Sequence, residues 1–356
     1  MIYITIDCRM WGEKYGGIGR YTKEIVTYLI VHKTWKFNLL CSPEAYQDLQ
    51  TYQSNQIQLR LCKASIFSFK EQWEIWKNIP YCDLFWSPYM NISFLRTRAK
   101  KQIVTLHDVF HLANPQYYSR FKRWMIAPYY YFSTKYSDKI LTVSYFSKSE
   151  FIKYFGKQVE DKVSVIYNGC EIKDSNILPK KTGFKYFLFV GSIKPHKNLK
   201  NALLGFKKLE NKNYRFIIVG KKEGFITGDK EVFNLVNQIN SEAESILFTG
   251  NINDQELYAW YKGASALVMP SLYEGFGLPI VEAMHFNIPI IASDIPVLRE
   301  IGKDYISYFN PYDPDSIKNA MAHIIQYTPP IKYPQWRTWA ETAEDIARIF
   351  EQITIL

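Results

Sequence analysis

Two carboxylates frame a glycine turn late in the chain. Glu274 and Glu282 flank the run Gly275-Phe276-Gly277-Leu278-Pro279. Upstream, Ala266-Leu267-Val268-Met269 reads as the end of a buried strand. Ile280 to Phe286 has helical content, with Pro279 at the first helical position, where its missing N–H breaks no bond; Ile288 to Ala292 returns as a strand. Gly275 and Gly277 free the backbone and leave room for a ligand beside the main chain. A helix starting there presents unpaired amides, so the chemistry on offer is anion binding between two acids. The competing reading is an ordinary β-α turn whose glycines serve geometry alone.

A second loop of this kind is Gly191-Ser192-Ile193-Lys194-Pro195-His196-Lys197-Asn198. It lies between an apolar strand, Tyr186 to Val190, and a helix carrying Leu199, Leu203, Leu204 and Phe206. A lysine at a helix start opposes the helix dipole unless an anion sits between them. The dipole contributes only about 0.3–1 kcal/mol, so holding a diphosphate against water needs such a cation as well. A solvated surface lysine is the plain alternative for Lys197.

Gly16-Gly17-Ile18-Gly19 forms a third glycine loop, after a strand over Ile2 to Ile6 and before a helix with Ile25, Leu29 and Ile30 inward. Thr22 stands where a dinucleotide fingerprint requires its third glycine, which argues against NAD. Amides near Gly17 can still approach a phosphate, and a tight turn with no ligand explains the segment equally well. His107 follows the strand Gln102 to Leu106, at the carboxyl end where doubly wound sheets place ligand-facing residues. His107 and His111 have zincin-like spacing, but a strand precedes them and Asp108 replaces the required Glu. No metal site is expected.

The elements that must position these residues alternate regularly. Phe37 to Leu40, Leu84 to Trp86, Lys101 to Leu106, Leu141 to Val143 and Lys162 to Tyr167 read as short strands separated by helical or loop segments. Arg215 to Gly220 and Ile246 to Thr249 repeat the pattern, followed by a helix over Asp254 to Tyr261. Such alternation indicates parallel sheets with crossover helices. Trp73 and Trp76 are expected in core or interface packing. Residues 171–183, rich in Lys, Asp, Asn and Pro, read as a linker between domains.

The E-x7-E stretch resembles the signature of the retaining glycosyltransferases of family 4. Ser271, Glu274, Gly275, Phe276, Gly277, Leu278, Pro279, Glu282 and Ala283 all fall at matching places. The loop ending in Lys197-Asn198, the pair His107-Asp108, the T-V-S-x-x-S-K run from Thr142 and Asp294-Ile295-Pro296 with Glu300 are similar to family segments too, so the resemblance spans nearly the whole chain. It implies an α/β, GT-B architecture: two Rossmann-like, doubly wound parallel-sheet domains facing across a cleft. The domains would be an acceptor-binding unit over 1–175, a nucleotide-sugar-binding unit over 176–335, and a helix over 336–356 crossing back to the first.

By the same resemblance, the donor is a nucleotide-diphosphate sugar. Glu282 accepts its ribose hydroxyls, and Glu274 with the amides of Phe276, Gly277 and Leu278 holds the sugar. Lys197 meets the phosphates, His107 faces the sugar, the loop at Gly17 approaches diphosphate and acceptor, and Asn251 lies in the turn gripping the base. Ser192 departs from the pattern, since many members carry Arg there; Lys194 is the candidate substitute. No cofactor and no metal are implied. The expected reaction moves a hexose, mannose favoured, to a lipid-linked or polysaccharide acceptor in O-antigen or capsule biosynthesis. The alternatives are a nucleotide-sugar epimerase or hydrolase of the same architecture, or a non-catalytic sugar-nucleotide-binding partner.

Composition bounds the rest. At 356 residues, two domains of about 170 residues are expected. A net charge of +10 calls for an anionic partner. Arg96, Arg98, Lys100 and Lys101, then Arg120, Lys122 and Arg123, concentrate that charge, and Trp124, Tyr129, Tyr130 and Tyr131 follow. Such a segment can lie in an anionic membrane interface. The sequence by itself favours a core helix interrupted at Pro128 with a solvated basic face. Nucleic acid is not expected, because no recognition motif accompanies the charge. Cys8, Cys41, Cys62, Cys82 and Cys170 are too scattered for a disulfide framework and fit a reducing cytoplasm. The chain starts as a strand and not as a signal peptide, and no apolar run approaches the roughly 20 residues of a membrane span. A cytoplasmic protein, peripheral at the inner face of the plasma membrane, is the expected setting.

Overall fold

The computed structural model describes residues 1–172, 176–220, 230–241, 243–327 and 331–355. The expected linker therefore includes three positions, 173–175, outside the described residues. The chain divides into two compact units, Met1–Gly169 with Arg337–Leu356, and Cys170–Trp336.

Among the described residues, the first unit carries strands β1 (Tyr3–Asp7), β2 (Lys36–Cys41), β3 (Ile57–Leu61), β4 (Cys82–Ser87), β5 (Ala99–Thr105), β6 (Lys139–Thr142) and β7 (Val163–Val165). They form one sheet in the order β3-β2-β1-β4-β5-β6-β7, every pairing parallel. The central strands are largely buried because helices cover both faces of such a sheet. The helices are α1 (Gly16–His32), α2 (Pro43–Leu49), α3 (Phe69–Asn78), α4 (Phe110–Ala113), α5 (Arg120–Tyr136) and α6 (Tyr145–Phe155). Ser42, Ser68, Ser119 and Ser144 cap α2, α3, α5 and α6 by accepting a backbone N–H three residues on.

Two expectations need correcting here, and a third narrows. The glycines Gly16, Gly17 and Gly19 lie inside the first turn of α1 and not in a loop before it. A Cβ at Gly19 would stand 1.9 Å from the Gly12 carbonyl oxygen, so glycine is required there for close backbone approach. Helix α5 runs unbroken through Pro128. The carbonyl that loses its partner belongs to Trp124, an exposed residue, where water can satisfy it. Of the core or interface packing expected of Trp73, its 60% exposure excludes the core alone; Trp76 leans on it at 5.1 Å and donates its indole N–H to the Arg96 carbonyl.

In the second unit, strands β8 (Lys185–Val190), β9 (Tyr214–Val219), β10 (Ile246–Gly250), β11 (Ala266–Met269), β12 (Ile290–Ser293) and β13 (Ser307–Phe309) pair in the order β10-β9-β8-β11-β12-β13, again all parallel. That order reverses between β8 and β11, which puts the ligand crevice of such a sheet at their carboxyl ends. Helices α7 (Leu199–Lys207), α8 (Lys230–Asn240), α9 (Asp254–Gly263), α10 (Leu278–His285), α11 (Pro296–Gly302) and α12 (Pro314–Gln326) surround it. Leu199, Leu203 and Phe206 of α7 meet Phe187 and Phe189 of β8 and Ile317 and Met321 of α12 in one buried cluster. Each such side chain contributes about 1.5–3 kcal/mol by leaving water.

The last helix, α13 (Trp339–Ile355), belongs to the first unit. Glu344 accepts from Tyr28 Oη at 2.7 Å and from Lys33 Nζ at 2.9 Å, while Phe350 packs on Trp35 and Trp86. Among the described residues no helix is long and apolar enough to cross a membrane.

Candidate active site

The two loops singled out in the second unit are stitched to one another. Asn198 adopts a left-handed conformation at φ 54°, one that asparagine tolerates better than most residues. Its Nδ2 donates to the Pro270 carbonyl at 3.0 Å and to the Pro311 carbonyl at 2.7 Å. The Leu272 amide donates to the His196 carbonyl at 2.8 Å. This brings Lys197, at the end of the turn Pro195–Lys197, against Glu274. Lys197 Nζ lies 2.5 Å from Glu274 Oε1, and Ser271 Oγ donates to the same oxygen at 2.6 Å. The side chains are only 21% and 12% exposed, so the pair is far less screened than a surface ion pair. The anion that a lysine at this helix start demands is met by the Glu274 carboxylate.

Beyond Glu274 the chain turns through Gly277 at φ +108°, which a side chain would strain, into α10. The helix begins at Leu278, so Pro279 occupies its second position and not the first; neither has an intrahelical amide partner to lose. Leu278 and Pro279 open the helix, and Phe276 and Gly277 are buried beneath it. One turn further, Glu282 is only 5% exposed and accepts from Tyr261 Oη at 2.7 Å. Tyr261 is itself fully buried on α9 and stacks on Phe286. Sequence reasoning missed Tyr261: nothing in a helix pattern distinguishes a core tyrosine from one holding a functional acid. Ser192 and Lys194 are exposed on the loop after β8, and Asn251 is exposed just past Gly250, which closes β10 at φ +76°.

His196 lies between two cations. Burial first, then Lys197 and Lys194, push its pKa down to about 3. The folded protein therefore binds a proton at His196 less readily than the unfolded chain, whose histidine titrates near 6.5. Stability from this site is present above pH 6.5 and is lost as pH falls toward 3. In histidine-labelled protein, the His196 ring is expected to stay neutral at pH 5 by NMR. His196→Gln should flatten the acid limb of the stability curve, and a His196 titration near pH 6.5 would refute the assignment.

The first unit places its own two candidates at carboxyl ends of strands. Gly17 is exposed at the start of α1, which follows β1. His107 follows β5; its Nε2 lies 2.8 Å from the Pro88 carbonyl, and Tyr21 meets the ring edge-on at 4.7 Å. Burial holds the imidazole below its ordinary pKa, against the opposing pull of the Pro88 carbonyl and Asp108, which keeps it neutral at pH 7. A buried charge cluster that the sequence did not announce fixes the backbone between β1 and α1. Arg9 grips Asp7 through Nε at 2.8 Å and Nη2 at 2.6 Å, and reaches Glu71 through Nη1 at 2.5 Å. Tyr89 Oη donates to Asp7 Oδ2 at 3.0 Å. Among the described residues, no group of three or more His, Cys, Asp or Glu is placed to hold a metal.

Both units match protein-family models. Residues 15–174 match the model for glycosyltransferase family 4, and residues 171–340 match the model for glycosyl transferases group 1. The chain belongs to the family-4 glycosyltransferases. The two matches meet at 171–174, next to the division of this glycosyltransferase into its units. The O-antigen chain mannosyltransferase RfbU of Salmonella typhimurium is 35% identical over 232 residues, 64% of this chain and 62% of that protein. The O-antigen chain mannosyltransferase B of Escherichia coli is 29% identical over 267 residues, 72% of this chain and 67% of that protein. The matched stretch thus spans less than two thirds of RfbU's own length. Among solved structures, Anabaena HepE in complex with UDP-glucose superposes with a TM-score of 0.73 at 16% identity, covering 99% of this chain and 97% of that one. The sucrose-phosphate synthase of Thermosynechococcus elongatus gives 0.68 at 17% identity, covering 100% and 97%. These likenesses establish the fold of the glycosyltransferase: two Rossmann-like parallel-sheet domains of the GT-B kind.

Proposed function

We propose that this glycosyltransferase moves a hexose, mannose in preference, from a nucleotide-diphosphate sugar to a lipid-linked or polysaccharide acceptor of cell-surface glycan, with retention at the anomeric carbon. The observation that carries the reading is the Lys197–Glu274–Ser271 cluster, set against the first turn of α10. The curated relatives named as O-antigen mannosyltransferases support the choice of sugar and glycan.

In this reading the donor diphosphate lies where Lys197 and the amides opening α10 can reach it, and Lys194 supplies a second charge. The bond from the anomeric carbon to the β-phosphate oxygen breaks, and the leaving oxygen's charge is met by the ammonium and fixed dipoles. Donors aimed at developing charge in this way each supply roughly 10²–10³ in rate. The acceptor hydroxyl bonds to the anomeric carbon and its proton passes to the departing phosphate. Glu274 Oε1 already receives both Lys197 and Ser271, which dulls it as a nucleophile and suits it to positioning sugar hydroxyls. Retention then comes from attack on the face the diphosphate vacates. Glu282, Asn251 and the loop from Gly275 to Leu278 bind the rest of the donor; Gly17 and His107 serve acceptor and sugar. We place the work on the cytoplasmic side, peripheral to a membrane that presents the acceptor.

A panel of nucleotide sugars differing in base and hexose tests the reading. A mannosyl donor is expected to be consumed fastest, acceptor should accelerate its consumption, and the product should keep the donor's anomeric configuration. Consumption of no donor would remove the catalytic reading, and acceptor-independent hydrolysis would favour a hydrolase. Activity should also persist in excess chelator, since fixed cations and dipoles replace an ion; a strict metal requirement would overturn that mechanism.

A further inference from the structure

The first unit turns aromatic side chains toward water on one helix face. On α5, Phe121 is 69%, Trp124 67% and Tyr131 54% exposed, while Tyr129, Tyr130 and Ser133 are buried on the other side. At 100° per residue the three exposed rings share a single stripe, with Arg120, Arg123 and Lys135 beside it. A helix hydrophobic on its outer face has the inverse of the pattern a solvated helix needs. On the packed side, Phe67 and Phe94 each make edge-to-face contact with Tyr129 and Phe94 stacks on Phe132, which fixes α5 with its exposed rings outward.

Charge on this part of the chain is mainly positive. From Asp83 to Asp138 there are eight lysines and arginines and three acidic residues, of which Asp83 and Asp138 pair with Lys100 and Lys101. Within the described residues neither Arg120 nor Arg123 is ion-paired, and Lys122 and Lys135 rest over the rings of Tyr118 and Tyr131. Arg120, Arg123 and Trp124 also line, together with Leu112, Ile126 and Ala127, an open recess of about 560 Å³. Guanidinium groups beside apolar side chains suit a phosphate carrying hydrocarbon, and tryptophan prefers the boundary between headgroup and acyl chain.

We propose that this α5 face is a docking surface for an anionic phospholipid bilayer: Phe121 and Trp124 enter the interface, and Arg120 and Arg123 hold lipid phosphates. The inference rests on the membrane-side reading above and specifies the surface and lipid charge that reading leaves open. It adds to the sequence-based reading of a core helix with a solvated basic face: Tyr129 and Tyr130 are buried as that reading requires, while Phe121, Trp124 and Tyr131 join the basic residues in solvent.

The full chain should co-sediment with vesicles of phosphatidylcholine mixed with phosphatidylglycerol, release at high salt, and ignore phosphatidylcholine alone. Phe121→Ser/Trp124→Ser and Arg120→Gln/Arg123→Gln should each weaken binding by roughly tenfold or more, given about fivefold per basic residue near an anionic surface. Both variants alter exposed positions, so circular dichroism and nucleoside-diphosphate binding should match wild type. Wild-type chain that ignores anionic vesicles while turning over donor would overturn the surface and leave the catalytic reading standing. So would variants that bind as wild type does, tight salt-sensitive binding to an oligonucleotide in place of vesicles, or a dimer dissolved by the Phe121/Trp124 change in a chain that ignores vesicles.

Discussion

Replacing Lys197 with alanine is expected to lower transfer by roughly 10²–10³-fold and to weaken donor binding, with the fold retained. The size follows from what the ammonium faces: charge that appears only as the diphosphate leaves, in a loop whose walls limit screening. The same substitution leaves Glu274 with Ser271 as its remaining donor in a site 12% exposed, so a stability loss of about 1–2 kcal/mol should accompany it. The two losses separate in a double variant. Lys197→Met/Glu274→Gln removes both charges and should recover most of the thermal midpoint while turnover stays low. Glu274→Gln alone frees Lys197 from its partner, so nucleoside diphosphate should bind at least as tightly while sugar transfer falls. Wild-type kinetics in Lys197→Ala would sink the phosphate role. A nucleotide affinity that collapses in Glu274→Gln would show that the pair works as a unit, with the carboxylate orienting the ammonium.

Much of this arrangement was legible in the residues because it is local. Glycines, a proline and the acids of one β-α unit specify the turn before α10, and the apolar runs around Ile6, Leu188 and Val268 are long enough to name buried strands. What escaped was either short or non-local. β13 has three residues, Ser307–Phe309, and β3 alternates as Ile57-Gln58-Leu59-Arg60-Leu61 at a sheet edge, so neither forms the continuous apolar run that marks a central strand. The Lys197–Glu274 contact joins positions 77 apart, and Arg9–Glu71 joins positions 62 apart; pairing at that distance leaves no periodic trace in one sequence. The glycines of α1 were misplaced for a related reason. Glycine commonly signals a loop, but Gly19 is needed because the Gly12 carbonyl presses on the helix there, a demand set by packing and not by the turn. Which rings of α5 lie in solvent was not legible, because composition records that a residue is aromatic and not which way the sheet lets it face.

The second large effect concerns Glu282, and it can be tested with an atom of the substrate as well as one of the protein. Glu282 is a carboxylate 5% exposed that accepts from Tyr261 at 2.7 Å; a carboxylate accepts about four hydrogen bonds in all, and ribose hydroxyls are the donors the family resemblance assigns. A hydrogen bond to a charged group contributes about 1.5–3 kcal/mol, so Glu282→Ala should raise the donor KM by roughly 10–150-fold, with kcat less affected because the ribose does not change during reaction. Tyr261→Phe keeps the carboxylate but releases its orientation, and a smaller rise is expected. The deciding measurement crosses the protein change with donors lacking one ribose hydroxyl. If Glu282 receives that hydroxyl, its removal should cost wild type about what Glu282→Ala costs, and should cost the variant almost nothing. Penalties that simply multiply would place the ribose elsewhere and leave Glu282 as a buried partner of Tyr261, with its charge serving the packing of α9 against α10.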